Sequence, residues 1–256
     1  MSNIRLEREK RHGAWIAERG EGVWNWSTPA GRVRWARRVA MFRDFLAACG
    51  PRVLEVGCGT GLFTAELAAT ASHITAIDIS PDLLDLARQR VTAENVVFAL
   101  ENAYETTFAS ESFDAVVGSS CFHHLDIDQA LRELFRLLKP GGRMMFTEPN
   151  MLNPQIFLQK NIPPFKKLAG DSPDETAFVR FSLAPVLERA GYEQISIIPF
   201  DFVHPFVPKL LLGWAVPLLN AMEQVPLVRE IAGSLIITAH RPHCTTTEHV
   251  CPHKTP

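Results

Sequence analysis

The sequence has no long uninterrupted apolar run and no large excess of charge of either sign. Its longest apolar run, residues 210–219, is broken by Gly213 and Pro217. That run is about half as long as the roughly 20 residues that a membrane-spanning helix needs. The formal net charge is -2, from 26 Lys and Arg against 28 Asp and Glu, so the charge balance does not favour nucleic acid as a partner.

Cysteine is also sparse. The five cysteines are odd in number and scattered, at positions 49, 58, 121, 244 and 251. This pattern argues against a disulfide framework and favours reduced thiols in a cytoplasmic protein. Residues 1–11 are strongly charged, so we expect no secretory signal there.

What the sequence does contain is a regular alternation of strand-like and helix-like segments between residues 52 and 148. The predicted strands cover 52–56, 74–78, 96–100, 113–118 and 143–148, and the predicted helices cover 61–70, 81–92 and 127–138. Ser80 and Asp126 are the expected N-caps of the second and third helices, since their side chains can accept hydrogen bonds from the first turn. The alternation predicts an α/β fold with a doubly wound, mostly parallel sheet.

The segments around this alternation differ from it in composition. The first 50 residues hold ten Lys and Arg, five Asp and Glu, and four of the five tryptophans, and we expect those tryptophans to pack on the main domain, to line a substrate pocket, or both. The predicted organisation is an N-terminal helical cap at 1–48, a main domain at 49–240 and a flexible tail at 241–256. Within the main domain we expect a lid or insertion at 150–180, a helix at 182–190 capped by Ser182, an apolar insertion at 200–232, and strands at 193–199 and 234–240.

The most informative segment is the glycine-rich turn after the first strand. Glu55 stands near the end of that strand, and three glycines follow in a G-x-G-x-G spacing that leads into a helix. Glycine lets the backbone turn sharply and lets a ligand approach closely. A strand that runs through such a turn into a helix is where open α/β sheets bind nucleotides. Asp78, at the end of the second strand, would lie beside this turn and accept hydrogen bonds from ribose hydroxyls.

The order and spacing of these motifs resemble the class I S-adenosylmethionine-dependent methyltransferases, in the small-molecule branch that includes ubiquinone/menaquinone methyltransferase-like proteins. The matching segments are 55–61, 78–81, 102–103, 113–117, 123–125 and 138–142. The resemblance implies a seven-stranded Rossmann-like sheet with an antiparallel last strand at 234–240, and S-adenosyl-L-methionine as the cofactor. Leu62 stands where the dinucleotide fingerprint has Gly or Ala, so a nicotinamide-dependent oxidoreductase is a weaker interpretation. A non-catalytic relative that keeps the fold is the other alternative.

The resemblance also implies which residues hold the cofactor. They come from the glycine turn and from the ends of the next three strands: Glu55, Gly57, Cys58, Gly59, Gly61, Asp78, Ile79, Asn102, Ala103 and Ser119. Asp78 is expected on the ribose, and Ile79 and Asn102-Ala103 at the adenine. The family commonly has Asp at position 102, but an asparagine carbonyl can still accept from the adenine amine. Glu55, Gly57 and Ser119 would surround the methionine end.

The candidate catalytic residues are His123 and His124, just past the fourth strand, and Glu148, at the end of the fifth. A sulfonium methyl is already electrophilic, so the enzyme mainly has to align the acceptor. Imidazole has a suitable pKa to act as a base towards a hydroxyl acceptor. We therefore expect O-methylation assisted by one of the two histidines, with C- or N-methylation by positioning alone as the alternative. Glu148 would orient a histidine or bind the acceptor. Glu148 and Asn150 alone are too few to predict a metal site.

The best indication of the acceptor is the unusually apolar stretch at 200–228. It predicts an apolar or amphipathic small molecule, such as an isoprenoid, a polyketide, a quinone or a lipid-linked sugar. The same stretch could instead be a buried insertion, a homodimer contact or a surface that touches a membrane peripherally. Lys209, Arg229 and the basic N-terminal segment would suit contact with anionic lipid.

Overall fold

The computed structural model describes residues 2–70, 72–172 and 174–243, and its described residues contain one seven-stranded sheet. The strands are β1 (Arg52–Val56), β2 (His73–Asp78), β3 (Val96–Leu100), β4 (Phe113–Ser119), β5 (Leu138–Pro149), β6 (Glu193–Phe200) and β7 (Ser234–His240). They lie in the order β3-β2-β1-β4-β5-β7-β6. The first five are parallel, and β7 is antiparallel to both β5 and β6. The predicted fold class and the antiparallel last strand are confirmed.

Helices cover both faces of the sheet and extend beyond it. The helices are α1 (Ser2–Arg19), α2 (Pro29–Ala47), α3 (Leu62–Leu67), α4 (Pro81–Arg90), α5 (Ile127–Leu137), α6 (Pro154–Asn161), α7 (Pro163–Ala169), α8 (Arg180–Arg189), α9 (Leu212–Met222) and α10 (Pro226–Arg229). Short 3₁₀ turns lie at Glu21–Trp24, Phe122–His124 and Lys209–Leu211. None of the described helices is long and apolar enough to cross a membrane.

The core consists of two apolar layers on opposite faces of the sheet. Alternate residues of β1 point to opposite faces, so Leu54 joins the layer beneath α5 and α8 while Val53 joins the layer beneath α2, α3 and α4. Burial on both faces explains why β1 is a continuous buried run rather than an alternating one. The strand order places the carboxyl ends of β2, β1 and β4 side by side.

Two predicted helix starts are confirmed and one is wrong. The Ser80 hydroxyl accepts the Leu83 N–H at 3.4 Å, and the Asp126 carboxylate accepts the Gln129 N–H at 3.2 Å. By contrast, α8 begins at Arg180, and the Ser182 hydroxyl donates back to the Val179 carbonyl at 3.0 Å instead of capping the helix. A hydroxyl inside the first turn can bond backward in this way, which the sequence pattern alone does not reveal.

Some predicted boundaries also move. β5 begins at Leu138 rather than at residue 143, because Leu138 already pairs with Phe113 of β4, and a register irregularity separates this pair from the pair of Ala115 with Arg143. The segment at 150–180 contains α6 and α7, and the stretch at 200–232 contains α9 and α10. The predicted tail falls mostly on residues 244–256, which lie outside the described residues, as do two of the cysteines.

The two N-terminal helices, which we call the cap, lie at different places: α1 lies beside the loops at the carboxyl edge of the sheet, whereas α2 packs on one face of the sheet. Helix α1 packs on the start of α4 at Gly13, where a Cβ atom would stand only 2.6 Å from the Ser80 side chain. Glycine therefore allows α1 to come this close to the end of β2. Residues of α1, including Glu9 and Ile16, form one wall of the cleft above the glycine turn.

Candidate active site

The turn after β1 requires its glycines. Gly57, Gly59 and Gly61 all have positive φ angles, of 67°, 54° and 76°. A Cβ atom at Gly57 would lie 2.7 Å from Cys121, and one at Gly61 would lie 2.9 Å from the backbone of α4, whereas one at Gly59 would meet nothing within 4 Å. Gly57 and Gly61 thus permit close packing, and Gly59 presents its backbone to open space.

Asp78 ties this turn to the end of β2. One carboxylate oxygen accepts the Gly59 N–H at 2.8 Å, and the other accepts the Ser80 N–H at 2.9 Å. Burial raises the pKa of Asp78 in spite of these two bonds. Asp78 lines a cavity of about 170 Å³, so its remaining lone pairs are available to hydroxyl donors there.

This first cavity contains six of the residues that the sequence predicted for the cofactor. They come from three consecutive loops at one edge of the sheet: Gly57, Gly59, Asp78, Ile79, Asn102 and Ala103. The Asn102 carbonyl oxygen accepts the Tyr104 N–H at 3.1 Å, which leaves the Asn102 NH₂ group without a partner among the described residues. That group can donate to a ring nitrogen, and the carbonyl oxygen keeps a second lone pair that can accept from an adenine amine as expected.

A second cavity, of about 440 Å³, adjoins the first. The two share Gly57, Gly59 and His124, and the second adds Glu55, Cys58, Ser119 and His123. Gly61 and Glu148 line neither cavity. All four N-terminal tryptophans, at positions 15, 24, 26 and 35, lie in the walls of the second cavity.

Glu55 is a buried carboxyl group without adequate hydrogen bonding. Its side chain is 1% exposed, and its Oε2 atom has no hydrogen-bond partner in the described part of the chain. Burial raises its pKa to about 8, and the nearby Asp78 charge acts in the same direction. A buried acid in this state is stabilised by a positive charge placed next to it. The cavity beside Glu55 therefore fits a cationic ligand group.

His123 and Glu148 form a tightly packed pair behind the second cavity. The His123 Nδ1 atom lies 2.7 Å from Glu148 Oε2, and Glu148 Oε1 accepts the backbone N–H groups of Cys121 and Phe122 at 2.9 and 2.8 Å. The carboxylate fixes the tautomer with hydrogen on Nδ1, leaving the Nε2 lone pair free. Burial, followed by the neighbouring His124 charge, lowers the pKa of His123, so its ring is neutral near pH 7.

His124 has the opposite electrostatic environment. Its Nδ1 atom lies 2.8 Å from Glu9 of α1 and 3.8 Å from Glu175. Burial opposes protonation, but the bond to Glu9 and the Glu175 charge outweigh it and raise the pKa of His124. The two adjacent histidines therefore differ: Glu148 holds His123 as a neutral base, whereas Glu9 and Glu175 favour protonation of His124.

A buried ion-pair network lies on the far side of the histidines. Lys160, whose side chain is 5% exposed, stands 2.7 Å from Glu175 and 2.8 Å from Asp171. Burial opposes ionisation of Glu175, but His124 and Lys160 together lower its pKa to about 2. His123, His124 and Glu175 are close enough to share a metal ion, with ligand atoms within 4.8 Å of one another. Lys160 already neutralises Glu175, however, so this donor set is better suited to ion pairing.

Several residues that line the two cavities were not predicted from the sequence. They come from the cap and from the 150–180 segment: Glu9, His12, Arg38, Lys160, Asp171 and Glu175. Ser120 was missed too; it adopts a left-handed backbone, with a φ of 57°, at the point where β4 meets both cavities. Because no local pattern marks these residues, only the tertiary structure brings them to the site.

The geometry has the form expected of the resemblance, and comparison with known proteins agrees. A model described as a methyltransferase domain matches residues 54–146. Demethylmenaquinone methyltransferase from Tropheryma whipplei is 33% identical over 164 residues, covering 57% of this chain and 68% of the relative. The ubiquinone/menaquinone biosynthesis C-methyltransferase UbiE from Vibrio cholerae is 31% identical over 172 residues, covering 57% of this chain and 66% of the relative.

Solved structures share the fold at low sequence identity. Phosphoethanolamine N-methyltransferase 2 from Haemonchus contortus, in complex with phosphomonomethylethanolamine and S-adenosylhomocysteine, has a TM-score of 0.61 at 18% identity, covering 87% of this chain and 57% of that one. The N-methyltransferase NodS from Bradyrhizobium japonicum, with S-adenosylhomocysteine bound, has a TM-score of 0.60 at 16% identity, covering 91% of this chain and 100% of that one.

The fold, the glycine turn and these relatives together define the class: the chain belongs to the class I S-adenosylmethionine-dependent methyltransferases. Within that class it is similar to the demethylmenaquinone and ubiquinone/menaquinone methyltransferases. Its cofactor is S-adenosylmethionine. The cleft fits that molecule, because the Glu55 oxygen that lacks a hydrogen-bond partner can pair with a positively charged group of the cofactor.

Proposed function

We propose that this enzyme methylates a hydroxylated, apolar or amphipathic small molecule, with His123 as the general base. The observation that carries the proposal is the Glu148–His123 pair, with its 2.7 Å contact and a free Nε2 atom. S-adenosylmethionine supplies the electrophilic methyl group. Everything else in the reaction is positioning, exclusion of water and removal of one proton.

The cofactor would lie across both cavities. Asp78 would accept hydrogen bonds from the ribose hydroxyls, and Ile79, Asn102 and Ala103 would surround the adenine. Cys58 and Ser119 would enclose the methionine end together with the glycine turn, and Glu55 would face its positive charge. Gly61 would act indirectly, by letting the turn pack on α4.

The proton would leave through His123. The Nε2 lone pair takes the hydroxyl proton of the acceptor, while Nδ1 keeps its hydrogen on Glu148. The resulting imidazolium gains stability from Glu148 on one side and from Glu175, 3.8 Å from Nε2, on the other. General-base help of this kind typically contributes about 10²- to 10⁴-fold. Glu148 is a positioning residue, because its oxygens are occupied by His123 and by backbone N–H groups.

The walls of the second cavity combine apolar and charged side chains, which favours an amphipathic acceptor. They carry the four tryptophans together with side chains such as Phe63, Ile156 and Phe202. An isoprenoid, a polyketide, a quinone or a lipid-linked sugar that bears a hydroxyl group has the required character. Demethylmenaquinone-type acceptors fit this description, in keeping with the names of the relatives.

Methylation on carbon is the second candidate, and the relative named as a C-methyltransferase favours it. In a phenolic acceptor, loss of the hydroxyl proton makes both the oxygen and the ortho carbon nucleophilic. Attack through carbon would give a dienone, which then loses its ring proton and regains a proton on oxygen to restore the aromatic ring, so one proton is released in either outcome. The same base would therefore serve both, and the orientation of the ring in the cavity would decide between them.

A membrane surface is a plausible source of such an acceptor. Exposed apolar side chains stand next to residues that line the cavity: Phe157 beside Ile156, Leu168 beside Ala169, and Phe206 beside Pro205. Leu210 and Trp214 extend the same exposed apolar character. Binding to sedimented phospholipid vesicles tests this part, and a protein that stays in solution at low salt contradicts it. A homodimer that buries this face would instead appear as a doubled mass in light scattering.

Turnover of the His123 variants tests the base. With a reduced prenylated 1,4-naphthoquinone as the acceptor, we expect His123→Gln to lower turnover about 10²- to 10⁴-fold while leaving S-adenosylhomocysteine affinity within twofold. His124→Gln is the matched control, since the His124 Nδ1 atom is paired with Glu9 and its raised pKa leaves less of the ring in the neutral form that can accept a proton, and it should lose far less. Mass spectrometry of the product distinguishes O- from C-methylation. Wild-type turnover in His123→Gln would contradict the proposal.

A further inference from the structure

Arg38 is a buried cation in the wall of the second cavity. It lies in the middle of α2, is 3% exposed, and stands beside the end of β4 and the start of β7. Its guanidinium donates to three hydroxyl oxygens: Ser119 at 3.1 Å, Ser120 at 3.2 Å and Ser234 at 3.3 Å. The rings of Trp26 and Phe200 lie 5.1 and 5.9 Å from its central carbon.

The other arginines of the same helix that make ion pairs show what Arg38 lacks. Arg34 stands 2.7 Å from Asp201, Arg37 stands 2.6 Å from Glu223, and Arg43 stands 3.0 Å from Glu66. Arg38 has no carboxylate within 4 Å among residues 2–70, 72–172 and 174–243, although it is the most buried of the four. Burial and the nearby Arg34 charge lower the pKa of Arg38 to about 10, so it remains charged at neutral pH.

A buried guanidinium that is hydrogen-bonded only to neutral hydroxyls lacks a counter-ion, and it can therefore bind an anion. Removing a charge from water is costly unless an opposite charge replaces the lost solvent. Three serine hydroxyls orient the guanidinium fork without neutralising it, and the fork matches the two oxygens of a carboxylate. The same cavity also contains an acidic group that lacks a counter-ion, because a buried oxygen of Glu55 has no hydrogen-bond partner among the described residues.

We propose that Arg38 binds the carboxylate of a ligand in the second cavity, and that this carboxylate is the one at the amino-acid end of S-adenosylmethionine. That end is a zwitterion, so it supplies an ammonium group for Glu55 and a carboxylate for Arg38. The other source of the same chemistry is an acidic group on the acceptor. This inference rests on the proposed placement of the cofactor across the two cavities.

Calorimetry with two adenosyl ligands tests the assignment. S-adenosylhomocysteine carries the amino-acid carboxylate, whereas 5′-methylthioadenosine lacks the whole amino-acid end. We expect Arg38→Gln to weaken S-adenosylhomocysteine binding by about 30-fold or more, as for other buried charge pairs that lose one partner, and to leave 5′-methylthioadenosine binding within twofold. Retained binding of 5′-methylthioadenosine also shows that the variant is folded.

Two further measurements show whether the carboxylate that Arg38 binds belongs to the cofactor or to the acceptor. Arg34→Gln is the matched control, because Arg34 lines the same cavity but already has Asp201 as a partner; it should preserve the preference for S-adenosylhomocysteine. Dodecanoate added to the protein loaded with S-adenosylhomocysteine probes an acidic acceptor. If Arg38→Gln keeps its affinity for S-adenosylhomocysteine and loses dodecanoate, the cofactor assignment is overturned in favour of the acceptor.

The remaining outcome rejects the anion site altogether. If Arg38→Gln binds S-adenosylhomocysteine, 5′-methylthioadenosine and dodecanoate as the wild type does, Arg38 has only a structural role. That result would leave the proposed reaction intact, because turnover through His123 is measured separately. Failure of the proposed reaction would instead appear as wild-type turnover in His123→Gln.

Discussion

In the cavity beside Asp78 the polar groups belong mostly to turns that are continuous with strands, whereas in the cavity beside His123 they are charged side chains from distant parts of the chain. Asp78 accepts hydrogen bonds from Gly59, in the turn after the neighbouring strand, and from Ser80, two residues further along the chain. In the cavity beside His123, Arg34 donates to Asp201, 167 positions away. One half of the cleft is thus built by backbone geometry and the other by tertiary contacts.

This difference suggests that the two halves of the cleft have separate roles. Backbone N–H groups and a carboxylate at strand ends can bind a nucleoside in any protein that keeps the turn. The charged half combines the cap, the 150–180 segment and the end of β4 around His123, so it can change with the acceptor.

Asp78→Ala should have the largest effect. It removes a carboxylate that we place on the ribose, and hydrogen bonds to charged groups contribute about 1.5–3 kcal/mol each. We expect S-adenosylhomocysteine and 5′-methylthioadenosine both to bind at least about 100-fold more weakly in calorimetry. Asp82→Ala, which alters an exposed acid in the first turn of α4, is the control. Equal affinities in the two variants would contradict the placement of the nucleoside.

Lys160→Met should be the next most damaging change, and it acts on stability. It leaves Glu175 and Asp171 buried without their cation, and breaking a buried pair in this way costs about 3–5 kcal/mol. Lys139→Met is the control, because Lys139 pairs with Asp114 at a more exposed position and should lose about 1 kcal/mol or less. Urea unfolding measures both free energies. Similar losses of unfolding free energy in the two variants would show that the buried network around Glu175 stabilises the protein no more than an exposed ion pair does.

The pH dependence of cofactor binding tests Glu55. Its pKa of about 8 means that it is protonated at pH 6–7 in the free protein, and a bound cation favours its ionised form. Binding should therefore release up to one proton, and S-adenosylhomocysteine affinity should rise by up to about tenfold per pH unit between pH 6 and 7.5. Calorimetry in buffers of different ionisation enthalpy counts the protons. Glu55→Gln should flatten the profile, and an unchanged profile would refute this role.

Glu9→Gln should have the smallest effect, confined to the cap. His124 has a raised pKa when folded, so its contribution to stability is complete below the unfolded pKa of about 6.5 and is lost as pH rises through the folded value. Without the Glu9 carboxylate this contribution shrinks. Hydrogen exchange in α1, corrected for intrinsic rates, should be a few-fold faster in the variant at pH 6, with β1 unchanged. Equal acceleration in β1 would mean general destabilisation instead.

Sequence reasoning succeeded where structure depends on neighbours in the chain. The glycine turn, the caps at Ser80 and Asp126 and the position of Asp78 follow from spacing, because strand, turn and helix must meet there. It failed at Ser182, where a serine in a helical turn could bond in either direction. The sequence did not indicate Arg38, Lys160 or Glu175, because tertiary contacts decide whether a charged side chain is buried and whether it has a partner. The difference between His123 and His124 was likewise hidden, since Glu148 and Glu9 decide it.

The most direct test of the divided cleft is a crystal structure with S-adenosylhomocysteine bound. We expect the ribose hydroxyls on Asp78, the amino-acid carboxylate on Arg38, and the sulfur atom facing the cavity beside the Nε2 atom of His123. A nucleoside bound among the tryptophans of the second cavity, with Asp78 making no contact to it, would show that the two halves of the cleft do not have these roles.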